Sequence, residues 1–384
     1  MKILADMNIP FVGECFSSVG DVEVVGGRDI TAEAVADKDV LLVRSITAVN
    51  EQLLRGSRVR FVGTATIGFD HIDVDYLRRN NIGFASAPGS NANSAAEYVV
   101  AALLEIGRKH RIQLEGKTIG IIGVGNVGSR VAAKCEALGM RVYRNDPPLQ
   151  KQTGDQQYLP IENLFDCDFI TLHTPLTLEG IDKTFYLADE KFFKSLKRRC
   201  VFLNASRGGV HDTGALKSAI RSGGLKAVVL DVWENEPDID VELLQMVDLG
   251  TPHIAGYSLD GKVAGMIMIY KALCEYFRLE ARYSIDDFLP VPDIGELKLD
   301  TRTGDTEKFL SNAVERIYSI RQDDTKLRHI LDQPAERRGR YFDKLRRDYP
   351  VRREFHNTEI VLTGQNKELA AKLQGIGFKV VEEF

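Results

Sequence analysis

The chain has 384 residues, 44% of them hydrophobic, a formal net charge of −5 and five cysteines. That length allows two or three domains with sizeable cores, and the mildly acidic balance gives no electrostatic footprint for nucleic acid or an anionic membrane surface. The cysteines, at 15, 135, 167, 200 and 274, form no C-x-x-C pair, which argues against a disulfide framework or a zinc site and for a reducing, cytoplasmic setting.

The first residues, MKILADMNIP, lack the succession of a signal peptide, and no apolar stretch reaches the length of a membrane span. Short apolar runs then alternate with helical patterns: KIL at 2–4, VLLV at 40–43, RFVGTA at 60–65, IGIIG at 119–123, DFITLH at 168–173, VFLNAS at 201–206 and AVVLDV at 227–232. This alternation predicts parallel sheets in doubly wound α/β domains. Strands so uniformly apolar need cover on both faces. Three-and-four spacing predicts a helix through Ala96, Val99, Val100, Leu103, Leu104 and Gly107, capped by Ser94, and a second through Val263, Met266, Ile267, Tyr270, Leu273, Cys274 and Phe277. Both stripes read as core, and their place on either side of the 112–257 block suggests that they join two lobes.

Gly123, Gly125 and Gly128, with Asn126 and Val127 between them, follow an apolar strand and open a helix predicted to reach about Leu138. Glycines at this spacing allow a tight turn, close approach to a pyrophosphate and close helix–strand packing. The phosphates would rest on N–H groups at the helix start. The next strand, RVYRN, ends at Asp146, eighteen residues past the last glycine, where a carboxylate accepts from ribose hydroxyls and repels a 2′-phosphate. Pro147 and Pro148 follow instead of a basic pair, so NAD is expected rather than NADP; the alternative is an aspartate that only caps the strand end. Thr174, Ala205, Ser206, Arg207 and Asp231 stand at later strand ends and are expected to complete the pocket, Asp231 near the nicotinamide or as a cap.

Arg207 in NASRGG, Glu236 in LDVWENEP and His253 in TPHIAG supply an anion anchor, a pKa tuner and a proton carrier. With GVGNVG, HTPLT at 173–177 and NASRGGVHDTGAL at 204–216, these frames resemble the D-isomer-specific 2-hydroxyacid dehydrogenases over roughly residues 1–285. The resemblance implies that Arg207, Glu236 and His253 are catalytic. Arg207 would bind and polarise the substrate, His253 would carry the hydroxyl proton, and Glu236 would orient the imidazole and favour its charged form. His211 stands where the family usually carries an aliphatic residue and is expected to be a bystander, while His173 and His71 read as structural.

VRSIT at 43–47 and GTATIGFDHID at 63–73 resemble the family's substrate loops and nominate Ser45 and Thr66. Arg44 adds charge there or is simply solvated. HTPLTLEG with Thr184, the sequence Tyr257-Ser-Leu-Asp-Gly and the C-terminal tail are similar to the branch that oxidises 4-phospho-D-erythronate at C2, on the route to pyridoxal phosphate. By that likeness Tyr257 contacts substrate, Gly256 contacts the cofactor, and the tail forms a homodimer. The alternatives are 3-phosphoglycerate oxidation, another D-2-hydroxy acid, or an NAD-sensing binding module of the corepressor kind.

Past about residue 285, LPVPD opens a polar, arginine-rich segment with a predicted helix at 306–321 and a closing strand–helix–strand, EIVLTG, NKELAAKLQGIG and FKVVEEF. Its small core makes docking on a second subunit the expectation. Arg346, Arg347, Arg352 and Arg353 either reach a neighbouring subunit's cleft or are solvated surface. The expected architecture is α/β: a flavodoxin-like substrate-binding lid domain (1–95 and 258–285), an inserted Rossmann-type NAD domain (96–257), and a small α+β C-terminal dimerisation domain (286–384).

Overall fold

Successive side chains of a strand point to opposite faces, so an all-apolar strand must be covered twice. The computed structural model, which describes every residue except 302, 303 and 384, meets that demand in two units, Met1–Asn91 with Ser258–Val291 and Ala92–Tyr257 with Pro292–Phe384.

In the first unit a five-stranded parallel sheet runs in the order Asp21–Val25, Lys2–Asp6, Val40–Val43, Phe61–Thr64, Gly83–Ala85, the flavodoxin-like order. Ile3, Ala5 and Leu42 pack with Met266 and Tyr270 on one face, while Leu4, Leu41 and Val43 pack with Val35 and Leu77 on the other. The helix Leu259–Phe277 supplies much of the first cover, and its N-cap Ser258 accepts from Gly261 N. The two edge strands escaped the sequence reading because DVEVV is half polar and mostly exposed, and GFA is only three residues long.

The second unit holds a six-stranded parallel sheet ordered Leu249–Gly250, Leu225–Leu230, Cys200–Asn204, Phe169–Leu172, Thr118–Ile122, Arg141–Asn145. Ile119, Ile121, Phe169, Val201 and Leu203 face one hydrophobic cluster, and Ile170, Leu172, Cys200, Phe202 and Val228 face the other. Strand order reverses beside Thr118–Ile122, the kind of switch point where open α/β sheets collect ligands. The helix Ala92–His110 starts ahead of Ser94, which is fully buried within its first turn and does not cap it.

The C-terminal segment forms its own parallel sheet, Glu296–Asp300, Glu359–Thr363, Lys379–Glu383. Its first strand, ELKLD, was not anticipated, and Phe384, expected to end the last, lies outside the described residues. The helix expected at 306–321 is two helices, Thr306–Ile317 and Ile320–Arg328. Between them Tyr318 is extended and buried, with the Arg352 guanidinium 4.3 Å from its ring centre.

The apolar face of the segment's last helix is covered by its own chain. Leu369, Leu373 and Ile376 join the cluster that contains Val100, Leu104, Val131 and Cys135. Polar links close the seam: Phe355 N donates to Glu97 Oε1 (2.9 Å), Lys134 Nζ to Ile376 O (2.6 Å), and Arg352 Nη2 to both Ser94 O (2.9 Å) and Ala255 O (2.7 Å). Among the described residues no helix is long and apolar enough to cross a membrane.

Candidate active site

Strand Thr118–Ile122 ends at Gly123, and the helix Asn126–Ala137 begins three residues later, so Asn126 and Val127 form its first turn. A Cβ on Gly128 would sit 2.0 Å from Gly123 O, so only glycine lets helix and strand pack this closely. At Gly125 nothing lies within 4 Å of that position, which leaves room for a phosphate against the helix N-terminus. The loop opens on a cleft of about 840 Å³ lined by Gly123, Gly125, Asp146, Pro147, Tyr158 and Thr174, among others.

Asp146 caps the helix Pro147–Thr153: Oδ1 accepts from Leu149 N (3.0 Å) and Oδ2 from Val124 N (2.8 Å). It is thus a helix cap rather than the strand-end cap of the alternative reading. That role does not displace ribose recognition, because each carboxylate oxygen keeps a second acceptor site and the residue lines the cleft. An open glycine cradle, a helix start and this carboxylate fit a dinucleotide. Among the described residues no cluster of His, Cys, Asp or Glu fits a metal.

The turn after Cys200–Asn204 is locked by Asn204. Its Nδ2 donates to Arg207 O (3.0 Å) and to His211 Nδ1 (2.9 Å), and its Oδ1 accepts from Ser206 N (3.0 Å) and Ser206 Oγ (2.8 Å). A Cβ on Gly208 would collide with Trp233 O at 1.9 Å, so glycine is what lets the turn press against the loop carrying Glu236. Arg207 is half-buried, with Nη1 on Ser206 O at 2.8 Å; Ala205 precedes it, also half-buried. His211 is fully buried, and burial pushes its pKa down to about 4. It stays neutral and braces Asn204, so the expected bystander is a support for the arginine turn. Burial likewise pushes His173 down to about 3, and its Nε2 meets Thr171 Oγ1 at 3.0 Å.

Beyond Leu225–Leu230, Asp231 is buried and both oxygens serve the next loop. Oδ1 accepts from Thr251 Oγ1 (2.7 Å) and Ile254 N (2.8 Å), and Oδ2 accepts from Ala255 N (2.9 Å). The carboxylate thus holds the loop that carries His253, and Oδ2 keeps one further acceptor site. His253 has a left-handed backbone (φ 57°), a conformation that costs free energy and persists where surroundings impose it. Its N–H donates to Asp231 O (2.7 Å), and its Nδ1 lies 2.7 Å from Glu236 Oε2. Glu236 Oε1 accepts from Trp233 N (2.9 Å). Burial opposes ionisation of Glu236, yet His253, that N–H and Arg346 together hold its pKa below the usual carboxylate range. A carboxylate fixed on Nδ1 sets the ring orientation and leaves Nε2 for a reacting proton.

Gly256 and Tyr257 follow directly. The Tyr257 ring meets Tyr349 edge-on at 5.8 Å, and the Arg346 guanidinium sits 5.9 Å from its centre. In the first unit, Ser45 is exposed just past Val40–Val43, and Thr66 just past Phe61–Thr64 donates its hydroxyl to Gly68 O (2.9 Å). His71 Nε2 meets Thr64 Oγ1 at 3.1 Å, a structural bond as expected. The sequence reading missed Asn204, Trp233 and Thr251, although all three lie inside the frames it quoted.

A family model described as the D-isomer specific 2-hydroxyacid dehydrogenase NAD binding domain matches residues 92–255, which makes this an NAD-binding domain. Residues 288–377 match a domain of unknown function, DUF3410. The erythronate-4-phosphate dehydrogenase of Marinobacter nauticus is 44% identical over 99% of this chain and 100% of its own, and that of Hahella chejuensis is 42% identical over 99% of both. The NAD-bound 3-phosphoglycerate dehydrogenase of Entamoeba histolytica superposes with a TM-score of 0.61 at 25% identity, covering 75% of this chain and 99% of that one. The chain belongs to the D-isomer-specific 2-hydroxyacid dehydrogenases and, within them, to the erythronate-4-phosphate dehydrogenase group.

Proposed function

We propose that the protein oxidises 4-phospho-D-erythronate at C2 to (R)-3-hydroxy-2-oxo-4-phosphooxybutanoate, a step toward pyridoxal 5′-phosphate. The observation that carries the chemistry is the 2.7 Å pair of His253 Nδ1 and Glu236 Oε2, in a unit that also holds the Arg207 turn and the dinucleotide cleft. NAD, when bound, supplies the hydride acceptor. Arg207 binds the substrate carboxylate and the C2 oxygen with its several donors. His253 Nε2 takes the hydroxyl proton as the C2 hydride departs, and returns it in the reverse direction. Glu236 keeps the imidazole in one orientation and stabilises its cationic form.

The cofactor contacts we assign are Gly123, Gly125, Asn126, Val127, Gly128, Asp146, Thr174, Ala205, Ser206, Arg207, Asp231 and Gly256. Ser45, Thr66 and Tyr257 are assigned to substrate. Since the Thr66 hydroxyl proton is committed to Gly68 O, its contribution to an anion comes from backbone N–H. Full-length identity of 42–44% to named relatives, against 25% to the 3-phosphoglycerate enzyme, supports the four-carbon substrate. The test is NADH formation with each phosphorylated acid. A strong preference for 3-phosphoglycerate overturns the assignment, as does inactivity on both.

The assembly we propose is a homodimer through the C-terminal segment, supported by the exposed edge residues Glu296, Lys298, Lys379 and Val381 of its sheet. Light scattering on the purified chain decides it. A cytoplasmic location is supported by five free cysteines, all buried.

A further inference from the structure

The four C-terminal arginines singled out in the sequence have separate fates. Arg347 is exposed and pairs with neighbouring Asp348 (2.9 Å). Arg352 is buried and spends Nη2 on the backbone of Ser94 and Ala255. Arg353 donates to Asn357 Oδ1 (2.8 Å). Arg346 alone of the four stands beside the residues of the reaction. Its guanidinium lies over the Tyr257 ring, and its charge is felt by Glu236, the partner of His253. Its Nε is shielded from solvent and has no hydrogen-bond partner.

A buried guanidinium N–H without an acceptor costs free energy that an incoming anion recovers. Tyr257 flanks the planar group with its ring and hydrogen-bonds it with its side chain, which holds the guanidinium in place while Nε stays unpartnered. The helix Arg338–Arg347 that presents it is held by its own unit: Phe342 is fully buried, and the adjoining Tyr349 donates to Asp323 Oδ2 (2.7 Å). This cation is therefore placed in advance on a rigid support, next to the loop that handles C2.

We infer that Arg346 binds the phosphoryl group of the substrate from within the same chain, making the C-terminal segment part of the specificity site. The inference rests on the phospho-erythronate reading. It assigns the dianion a cation with an open N–H donor that Arg207, committed to the carboxylate end, does not provide. It also gives the segment a role in substrate choice that does not require a neighbouring subunit.

The test uses full-length wild type, R346Q, R346K and the exposed control R347Q, assayed with 4-phospho-D-erythronate and with unphosphorylated D-erythronate. NADH binding serves as the check on folding. In R346Q the KM for the phosphorylated acid is expected to rise about 10²-fold, the scale for removing one member of a partly buried charge pair. Its kcat should change little, and kcat/KM for D-erythronate should hold. R346K is expected to recover part of the loss and R347Q to behave as wild type. Equal losses on both acids with a displaced pH profile mean that Arg346 acts only through Glu236, and overturn the inference, as does an unchanged KM. A wild type that does not prefer the phosphorylated acid overturns the substrate reading itself, before any variant is compared.

Discussion

Thr251 donates its hydroxyl to Asp231 Oδ1 at 2.7 Å while meeting the Tyr98 hydroxyl at 2.8 Å. A single buried chain of bonds thus runs from the helix Ala92–His110 to the loop that holds His253. Thr251→Val keeps the shape but deprives both neighbours of a partner. It is expected to cost about 1–3 kcal/mol of stability, the range for orphaned buried polar groups, and to lower kcat by loosening the loop. Thr251→Ser should restore both. An unshifted thermal transition in the valine variant would show that the chain of bonds contributes nothing.

The His253–Glu236 pair separates proton carriage from orientation. His253→Ala is expected to lower kcat by about 10²–10⁴-fold, the span of a positioned acid–base group, with NADH binding intact. Glu236 is held below the ordinary carboxylate range, so its charge is present throughout the working pH and is lost only in stronger acid. Glu236→Gln removes that charge from beside the imidazole at every pH. The kcat should then fall, because the ring loses the carboxylate that fixes its Nδ1 and its orientation. An unchanged kcat refutes the orienting role.

Glu97 makes the C-terminal seam sensitive to pH. Burial first, then repulsion from Glu354, push its pKa up to about 8, against the opposing influence of Lys134 and Arg352. Between its ordinary pKa of about 4.3 and that value, the folded chain holds a proton that the unfolded chain has released. Stability must therefore fall as pH rises through that window. Glu97→Gln mimics the protonated side chain, and its melting temperature is expected to vary less with pH than wild type's between 5 and 8. Parallel curves for the two proteins would reject the assignment.

The periodicities were enough to locate the two large sheets, because VLLV, IGIIG and VFLN bury every residue and admit few other structures. The charged members of the site were equally legible, since arginine, glutamate and histidine announce their chemistry. Hidden from sequence were the residues that hold them. Asn204 and His211 brace each other within one turn, a pairing that neither residue type announces; Thr251 acts through bonds to Asp231 and Tyr98, 20 and 153 residues away in the chain, and no local spacing encodes such partners. The split at Tyr318 has the same origin, because the buried Arg352 that lies over its ring is 34 residues further on. The packing of the tail's helix on its own chain was not legible either, because an apolar face looks identical whether its cover comes from the same chain or from another.

Asp146 carries two duties that one substitution can separate. Its oxygens cap the helix Pro147–Thr153 and bind Val124 N, and in the proposed cofactor assignment its negative charge repels an adenosine 2′-phosphate. Asparagine caps a helix about as well as aspartate, so Asp146→Asn should retain the fold and the NAD cleft while removing the repulsion. The ratio of kcat/KM for NAD over NADP is expected to fall by about tenfold or more, the scale of one like-charge repulsion in a half-exposed site. Full reversal is not expected, because Lys151, the nearest following cation in the sequence, is engaged with Asp182 at 2.9 Å. A ratio that stays at the wild-type value would show that the charge of Asp146 does not select the cofactor and that its capping bonds are its whole function.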